Sequence, residues 1–564
     1  MQMRKTVLLG FLIISLMGLG VETLKNTVVV DQVGYLSGFK KIAFLVNPDG
    51  SPVKFKIMDT GGNIVFKGKV KKKTNEDYLS GDRVYILDFS DFEKEGEYTI
   101  VCGDAKSYPF KISENVYGDA FKLTMVSYYL QRCGQKVKYG KFHHETCHTQ
   151  EKEAAYHPAT GFKGTKDVRG GWHDAGNYEK YVNNAAFTVA HLLLAYEFFK
   201  IDVKFIPGYT DDLPHILAEA KTGLDWLMKM QRKDGSVHHS VVVESWDYWI
   251  CKPGEHKDKR YITSITSFDT AVFAAVMAMA ARLYEKFDSE YAAECLRRAR
   301  LAWGWLENHP EMIPNGGYKP LTETDGYEDN SDRDERLWAA IELFATTGEV
   351  KYRRYFEAKY KIWSKTIDYF PYWGDVRVLA MLRYYFTPGT NRKIKEEIKK
   401  DLFTFLDSRL RWINSEDNGY GVALKVDEFW WGSNANLGEI AFMFVMGYTM
   451  DRTRREYLEA AVEQLHYLFG RNALNLSFVT GVGSNAIMNP HHGPSITDDI
   501  NEPWPGLVVG GPNADREDYI MEKMVPENIP PMRCFVDHVE AYSVNEPDIC
   551  YNAPWEFVLA SLCH

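Results

Sequence analysis

From Thr27 to Ile112 the chain alternates short apolar runs with clusters of turn residues. The runs read TVVVDQVGY, KKIAFLVN, VKFKIMD, NIVFKGKV, RVYILDF, GEYTIVCG and SYPFKI, and segments such as NPDGSP and DTGGN divide them. Val, Ile, Phe and Tyr recurring along such runs fit pleated strands with a buried face. Seven of them predict an immunoglobulin-like all-β sandwich over residues 25–113. Nothing there carries catalytic chemistry, so a structural or substrate-orienting module is expected.

Beyond Glu114 the apolar period lengthens to that of a helix, and 116–564 is expected to form one all-α domain. In LPHILAEAKTGLDWLMKMQ, Leu217, Ala220, Leu224 and Leu227 share a face, and Asp234-Gly235 stops the segment. In DERLWAAIELFATTGE, Leu337, Ile341 and Phe344 share a face, Asp334 is placed to cap the start, and Gly348 ends the helix. NNAAFTVAHLLLAYEFF is apolar nearly all round, as a fully buried helix must be. Similar periodicity near 116–132, 268–286, 289–307, 350–366, 376–386, 393–412, 434–449, 453–469 and 553–563 brings the total to about a dozen. That number fits a closed double ring of helix pairs, and by periodicity alone an open solenoid. Aromatic-rich loops at 232–264, 310–334 and 471–551 interrupt the helices, and function concentrates in such loops.

Charge narrows the partners. The chain has 67 basic against 77 acidic residues, a net charge of −10, and no basic stripe. A nucleic-acid partner is not expected, because phosphates demand clustered Lys and Arg. Arg4 and Lys5, the apolar stretch Val7 to Leu19, and the small residues Gly18 and Gly20 have the build of a secretory signal over 1–20. The stretch is short for a bilayer, no Cys follows the cut, and no other segment reads as a membrane span. The mature protein is therefore expected outside the cell.

Eight cysteines in 564 residues do not make a disulfide scaffold, and Cys251, Cys295 and Cys550 are expected as small buried side chains. Cys133 and Cys147 differ, because His148 and His173 accompany them. Two thiols and two imidazoles close a tetrahedral zinc site. A Cys133–Cys147 disulfide suits an exported protein as well, and His143 and His144 are alternative ligands. In EDNSDRDE, Asp332, Asp334 and Glu335 offer the oxygen ligands calcium prefers; helix capping and a solvated charge run explain them too. Trp246, Trp249, Trp430, Trp431 and Trp504 stand in or beside loops, where indoles can stack on the apolar faces of sugars. Trp431 is the strongest of these candidates.

Three loop segments combine chemistry with length. They are GGWHDAGNYEKYV, with Asp174 and Asn177; FVTGVGSNAIMNPHHGPS, with His491 and His492; and FVDHVEAYSVNEPDICYNAP, with Asp537, Tyr542 and Glu546. Together with WGSN (431–434) and PGLVVGGPN (505–513) they resemble glycoside hydrolase family 9, the cellulase-type family built on an (α/α)6 barrel. The DQVGYLSG run looks like the amino-terminal immunoglobulin-like domain that many members carry. The resemblance runs in order through nearly the whole mature chain.

It implies an inverting β-glycoside hydrolase acting on a β-glucan polysaccharide or oligosaccharide. Such chemistry needs one carboxylic acid at the leaving oxygen and one carboxylate activating water, about 6.5–9.5 Å apart. Glu546 matches the family's acid. His491, Trp431, Asp537 and Tyr542 fall in the matching motifs as substrate-binding candidates. The Cys133, Cys147, His148, His173 set matches a structural zinc site of members with this amino-terminal domain, and EDNSDRDE resembles a calcium loop.

Three departures accompany the match. The family's Asp-Ala-Gly-Asp is here Asp174-Ala-Gly-Asn177, so an amide stands where the base belongs, and an amide cannot take up water's proton. Either Asp174 serves as base, or the protein binds sugars without cleaving them, or the substitution inactivates it. Gly493 replaces the Arg that follows the His pair, which removes a multi-donor clamp on hydroxyls. Asp548 stands where a small residue is usual, which makes the surroundings of the acid more polar. A polysaccharide-binding protein on a hydrolase scaffold, or a hydrolase of xyloglucan or a glucosamine oligomer, are the alternatives.

Overall fold

The structure, a computed structural model, describes residues 23–209, 212–247 and 250–563. The expected leader and Trp249 lie outside these residues.

The strands fall where the alternation places them: β1 Thr27–Val29, β2 Gly34–Leu36, β3 Ile42–Val46, β4 Lys54–Asp59, β5 Ile64–Thr74, β6 Val84–Asp88, β7 Gly96–Cys102, β8 Ala105–Lys106 and β9 Phe110–Ser113. The order is β1-β3-β6-β5-β4-β7-β9-β2, with β8 on β7. The first part of β5 pairs with β4 and its last residues with β6, so one strand passes between the two layers. Tyr98, Ile100 and Cys102 alternate inward along β7 and meet Tyr35, Leu45, Phe55, Leu87 and Phe110 in the sandwich core. Among the described residues no helix precedes Gly118.

The remainder is an (α/α)6 barrel. Twelve helices of ten or more residues occur among the described residues, and they alternate between an outer and an inner ring. The inner ring comprises Val182–Phe199, Ser267–Tyr284, Arg333–Thr347, Arg377–Phe386, Ser433–Met450 and Ile549–Ala560. Ser267–Tyr284 shows why an inner helix packs on all sides. Ala271, Ala274, Ala275, Ala278, Ala280 and Ala281 let neighbours approach closely, and nearly every residue is buried. By length and composition this helix could span a membrane, against the sequence expectation of no further span, but it is core. An outer helix such as Ser289–Asn308 buries one stripe, Ala292, Cys295, Ala299, Ala302 and Leu306.

Asp334 does not cap its helix as expected. The cap position is Asp332, and Asp334 Oδ2 instead accepts from the Val376 N–H at 2.8 Å. Buried polar ties fix the sandwich to the barrel. Asp31 accepts from Tyr117 Oη (3.0 Å) and meets His466 Nδ1 (2.8 Å), and Asp82 receives Arg533 and Tyr420.

Candidate active site

The inner helices run the same way, and the segments entering them meet at one end of the barrel. Residues 174–181 precede Val182–Phe199, 324–328 precede Arg333–Thr347, 372–373 precede Arg377–Phe386, 430–432 precede Ser433–Met450, and 546–548 precede Ile549–Ala560. They enclose a cavity of about 750 Å³ lined by Trp246, Tyr327, Trp373, Trp430, Trp431, Tyr542 and Tyr551 among the aromatics. Asp174, Asn177, His491, Glu546 and Asp548 line the same cavity. Among the described residues no Lys or Arg does.

Glu546 is half-buried and lies against the 174–177 turn. Its Oε1 accepts from the Gly176 N–H at 3.1 Å and from Asn177 Nδ2 at 3.3 Å. The turn comes this close because residue 176 is glycine; a Cβ there would lie 1.8 Å from the His491 carbonyl oxygen. Burial, with the nearby Asp548 adding to it, pushes the Glu546 carboxyl up to about 8. At neutral pH it carries a proton, as a general acid must.

Asn177 Oδ1 accepts from the Glu179 N–H at 3.0 Å. Its amide therefore braces the acid and the turn. Asp174 is 1% exposed, and its Oδ1 accepts from Asn184 Nδ2 at 2.8 Å. Burial raises its carboxyl well above the ordinary range, and Asp548 adds to the rise. The Asn184 amide also donates to Asp548 Oδ1 at 2.9 Å, and Tyr327 Oη donates to Asp548 Oδ2.

His491 sits at the cleft with Nδ1 against the Val539 carbonyl at 2.6 Å, and burial lowers its pKa to about 4, so the ring is neutral. Tyr542 is 39% exposed, its ring 5.7 Å from those of both Trp431 and His491, and the three form one platform. Asp537 is placed differently from expectation. It lies outside the cleft lining and accepts from the Met488 and Asn489 N–H groups and from Asn545 Nδ2, tying two loops together. Trp504 is buried, with Nε1 on Asp498 Oδ2 at 2.8 Å, so it is structural. His492 bridges Ser495 and Gln131 and is structural too.

Cys133, Cys147, His148 and His173 come together, all buried, with one ligand atom from each within 4.8 Å of the others. Cys133 Sγ is 3.6 Å from His148 Nδ1, and Cys147 Sγ is 3.5 Å from His173 Nε2. Tetrahedral zinc bond lengths place ligand atoms about 3.5–3.8 Å apart, so the set fits the ion. A hydrogen bond from the Cys133 thiol, against burial, holds Cys147 far below the ordinary thiol range. No disulfide occurs among the described residues, and Cys251 is half-buried rather than buried. His143 is exposed; His144 is buried, beside Cys147. His256, which the sequence reading missed, orients His148 through Nε2···Nδ1 at 3.1 Å.

The acidic run is only partly a cluster. Asp332 pairs with Arg336 at 2.8 Å. Asp334 and Glu335 instead converge with Asp329 and Asp375, neither of which the sequence reading named. Both Glu335 carboxylate oxygens are buried without a hydrogen-bond partner, and burial raises Asp329 to about 6 and Asp334 to about 8.

Comparison with known proteins agrees with this architecture. The model of the glycosyl hydrolase family 9 domain matches residues 117–559, and that of the cellulase N-terminal ig-like domain matches 24–107. A cellodextrinase of Butyrivibrio fibrisolvens is 33% identical over 560 residues, covering 95% of this chain and 99% of its own. Endoglucanase D of Acetivibrio thermocellus is 35% identical over 546 residues, covering 94% and 82%. The crystal structure of a Zn-binding triple mutant of the family 9 endoglucanase J30 superposes with a TM-score of 0.87 at 34% identity, covering 94% of this chain and 99% of that one.

Proposed function

The chain belongs to glycosyl hydrolase family 9, and on that premise we propose that it hydrolyses β-1,4-glucan chains or their oligosaccharides with inversion at the anomeric carbon. The observation that carries the reading is Glu546, a carboxyl kept protonated at neutral pH on the wall of an aromatic cleft. Glu546 gives its proton to the leaving oxygen while water, held beside Asp174, attacks the opposite side of the sugar ring. Trp431 and Tyr542 stack on sugar faces, and His491 meets hydroxyls from the same platform. A cleft lined without Lys or Arg suits a neutral glycan, and relatives named as a cellodextrinase and an endoglucanase favour a glucan.

The four Cys and His ligands hold zinc, which fixes His173 and with it the neighbouring Asp174 turn. Asp329, Asp334, Glu335 and Asp375 would hold calcium, whose charge would offset the cost of burying the first three carboxyls together. Residues 1–20 direct export, so the secreted protein is expected to begin near residue 21 by N-terminal sequencing.

Incubating the native protein with cello-oligosaccharides, xyloglucan and glucosamine oligomers tests the substrate class. Shortened cello-oligosaccharides are the expected product. Asn177 in the base position favours the other reading, binding without cleavage, and retention of oligosaccharide with no product from any substrate would establish it.

A further inference from the structure

The carboxylate missing at position 177 is matched by one gained at position 548. Both ends of the Asn177 amide are engaged, one on Glu546 and one on the Glu179 N–H. Asp548 lies two residues beyond the acid. Glu546 (φ −79°, ψ 131°) and Asp548 (φ −146°, ψ 147°) are both extended, and both line the cleft. Their side chains thus leave the same side of the chain from Cα atoms about 6.5 Å apart.

The two oxygens of Asp548 have different surroundings. Oδ1 accepts from the Cys550 N–H at 2.7 Å, capping helix Ile549–Ala560, and from Asn184 Nδ2. Oδ2 accepts from the hydroxyl of Tyr327, itself a cleft residue. Helix capping accounts for Oδ1 alone, and an uncharged Ser or Asn would cap as well. It does not account for a second carboxylate, 4% exposed, on the same Asn184 amide as Asp174, where burial and like charge make two ionised groups costly.

We propose that Asp548 accepts the proton of the attacking water, the task an amide at position 177 is unable to perform; this rests on the hydrolytic reading above. As the water oxygen bonds to the anomeric carbon, the bond from that carbon to the leaving oxygen breaks. Glu546 protonates the leaving oxygen, and the water's proton passes to Asp548. Glu546 ends ionised and Asp548 protonated, and exchange with solvent resets both.

Asp548→Asn keeps the helix cap and the shape of the site while removing the proton acceptor. It is expected to lower kcat on cellotetraose by about 10²–10⁴-fold with KM within threefold. In Asp548→Gly, added azide is expected to replace the water, restore turnover and yield the α-glycosyl azide, because azide needs no deprotonation. Asp548→Ser retains a cap and controls for folding, with thermal melting as its readout. Native hydrolysis that survives Asp548→Asn within threefold, or the absence of glycosyl azide, overturns the inference and leaves the parent reading standing. Absence of hydrolysis by the native protein overturns both.

Discussion

Replacing Glu546 with Gln is expected to lower kcat/KM on cello-oligosaccharides by about 10²–10⁴-fold. Gln has nearly the shape of Glu, and its Oε1 can still accept from Gly176 and Asn177, so the loop and the sugar platform should be undisturbed. What disappears is the proton. Two further readouts separate that loss from structural damage. A dinitrophenyl cellobioside, whose leaving group needs no protonation, should be hydrolysed by Glu546→Gln at a rate close to native. The pH profile should change as well. Burial holds the native carboxyl protonated up to about 8, so native activity is present below that pH and falls as pH rises through it. Glu546→Gln should lose that alkaline limb on the activated substrate. An unchanged limb, or equal loss on both substrates, would place the acid elsewhere.

Breaking up the Cys133, Cys147, His148, His173 set is expected to have the largest effect on stability. Protein purified without added metal should hold one zinc per chain, and Cys147→Ser should release it, because metal binding contributes directly to folding free energy. A fall in melting temperature of at least about 5 °C is expected for a loss of several kcal/mol in a domain of this size. Activity should fall too, since His173 adjoins Asp174, whose N–H donates to the Glu179 carbonyl at 3.0 Å. Metal analysis reports calcium in the same experiment, with one ion expected at the acidic cluster. A Cys133–Cys147 disulfide found by mass spectrometry, with no zinc, would remove the site.

Which parts of this were legible in the sequence follows from the range of the interactions involved. The strands of the sandwich and the helices of the barrel are set largely by local periodicity, although the helix expected over 350–366 ends at Lys359 and the run TVVVDQVGY divides into two strands. Ring closure is not local. It became visible through the order of family motifs and through the contacts between Ile549–Ala560 and both Val182–Phe199 and Ser433–Met450. Glu546 and Asp174 could be singled out because their motifs are long, and both line the cleft. Asp537 was misplaced because a carboxylate in a motif loop looks the same whether it faces substrate or, as here, backbone N–H groups. Tyr327 and Asn184 were missed for the opposite reason, since each reaches Asp548 across more than 200 residues of sequence. Asn183-Asn184, a polar pair at the mouth of an otherwise apolar helix, was the one local signal pointing to them. The acidic cluster was half legible, because Asp375 reaches it from a different loop.

The central claim is that this site cleaves β-glycosides with inversion although an asparagine stands at the base position. The most direct test follows the first minutes of cellotetraose hydrolysis by proton NMR and reads the anomeric configuration of the new reducing end before mutarotation. Direct attack by water on the face opposite the leaving group predicts that the α-anomer appears first and decays toward equilibrium. A β-anomer appearing first, or no cleavage of cellotetraose at all, would contradict the account.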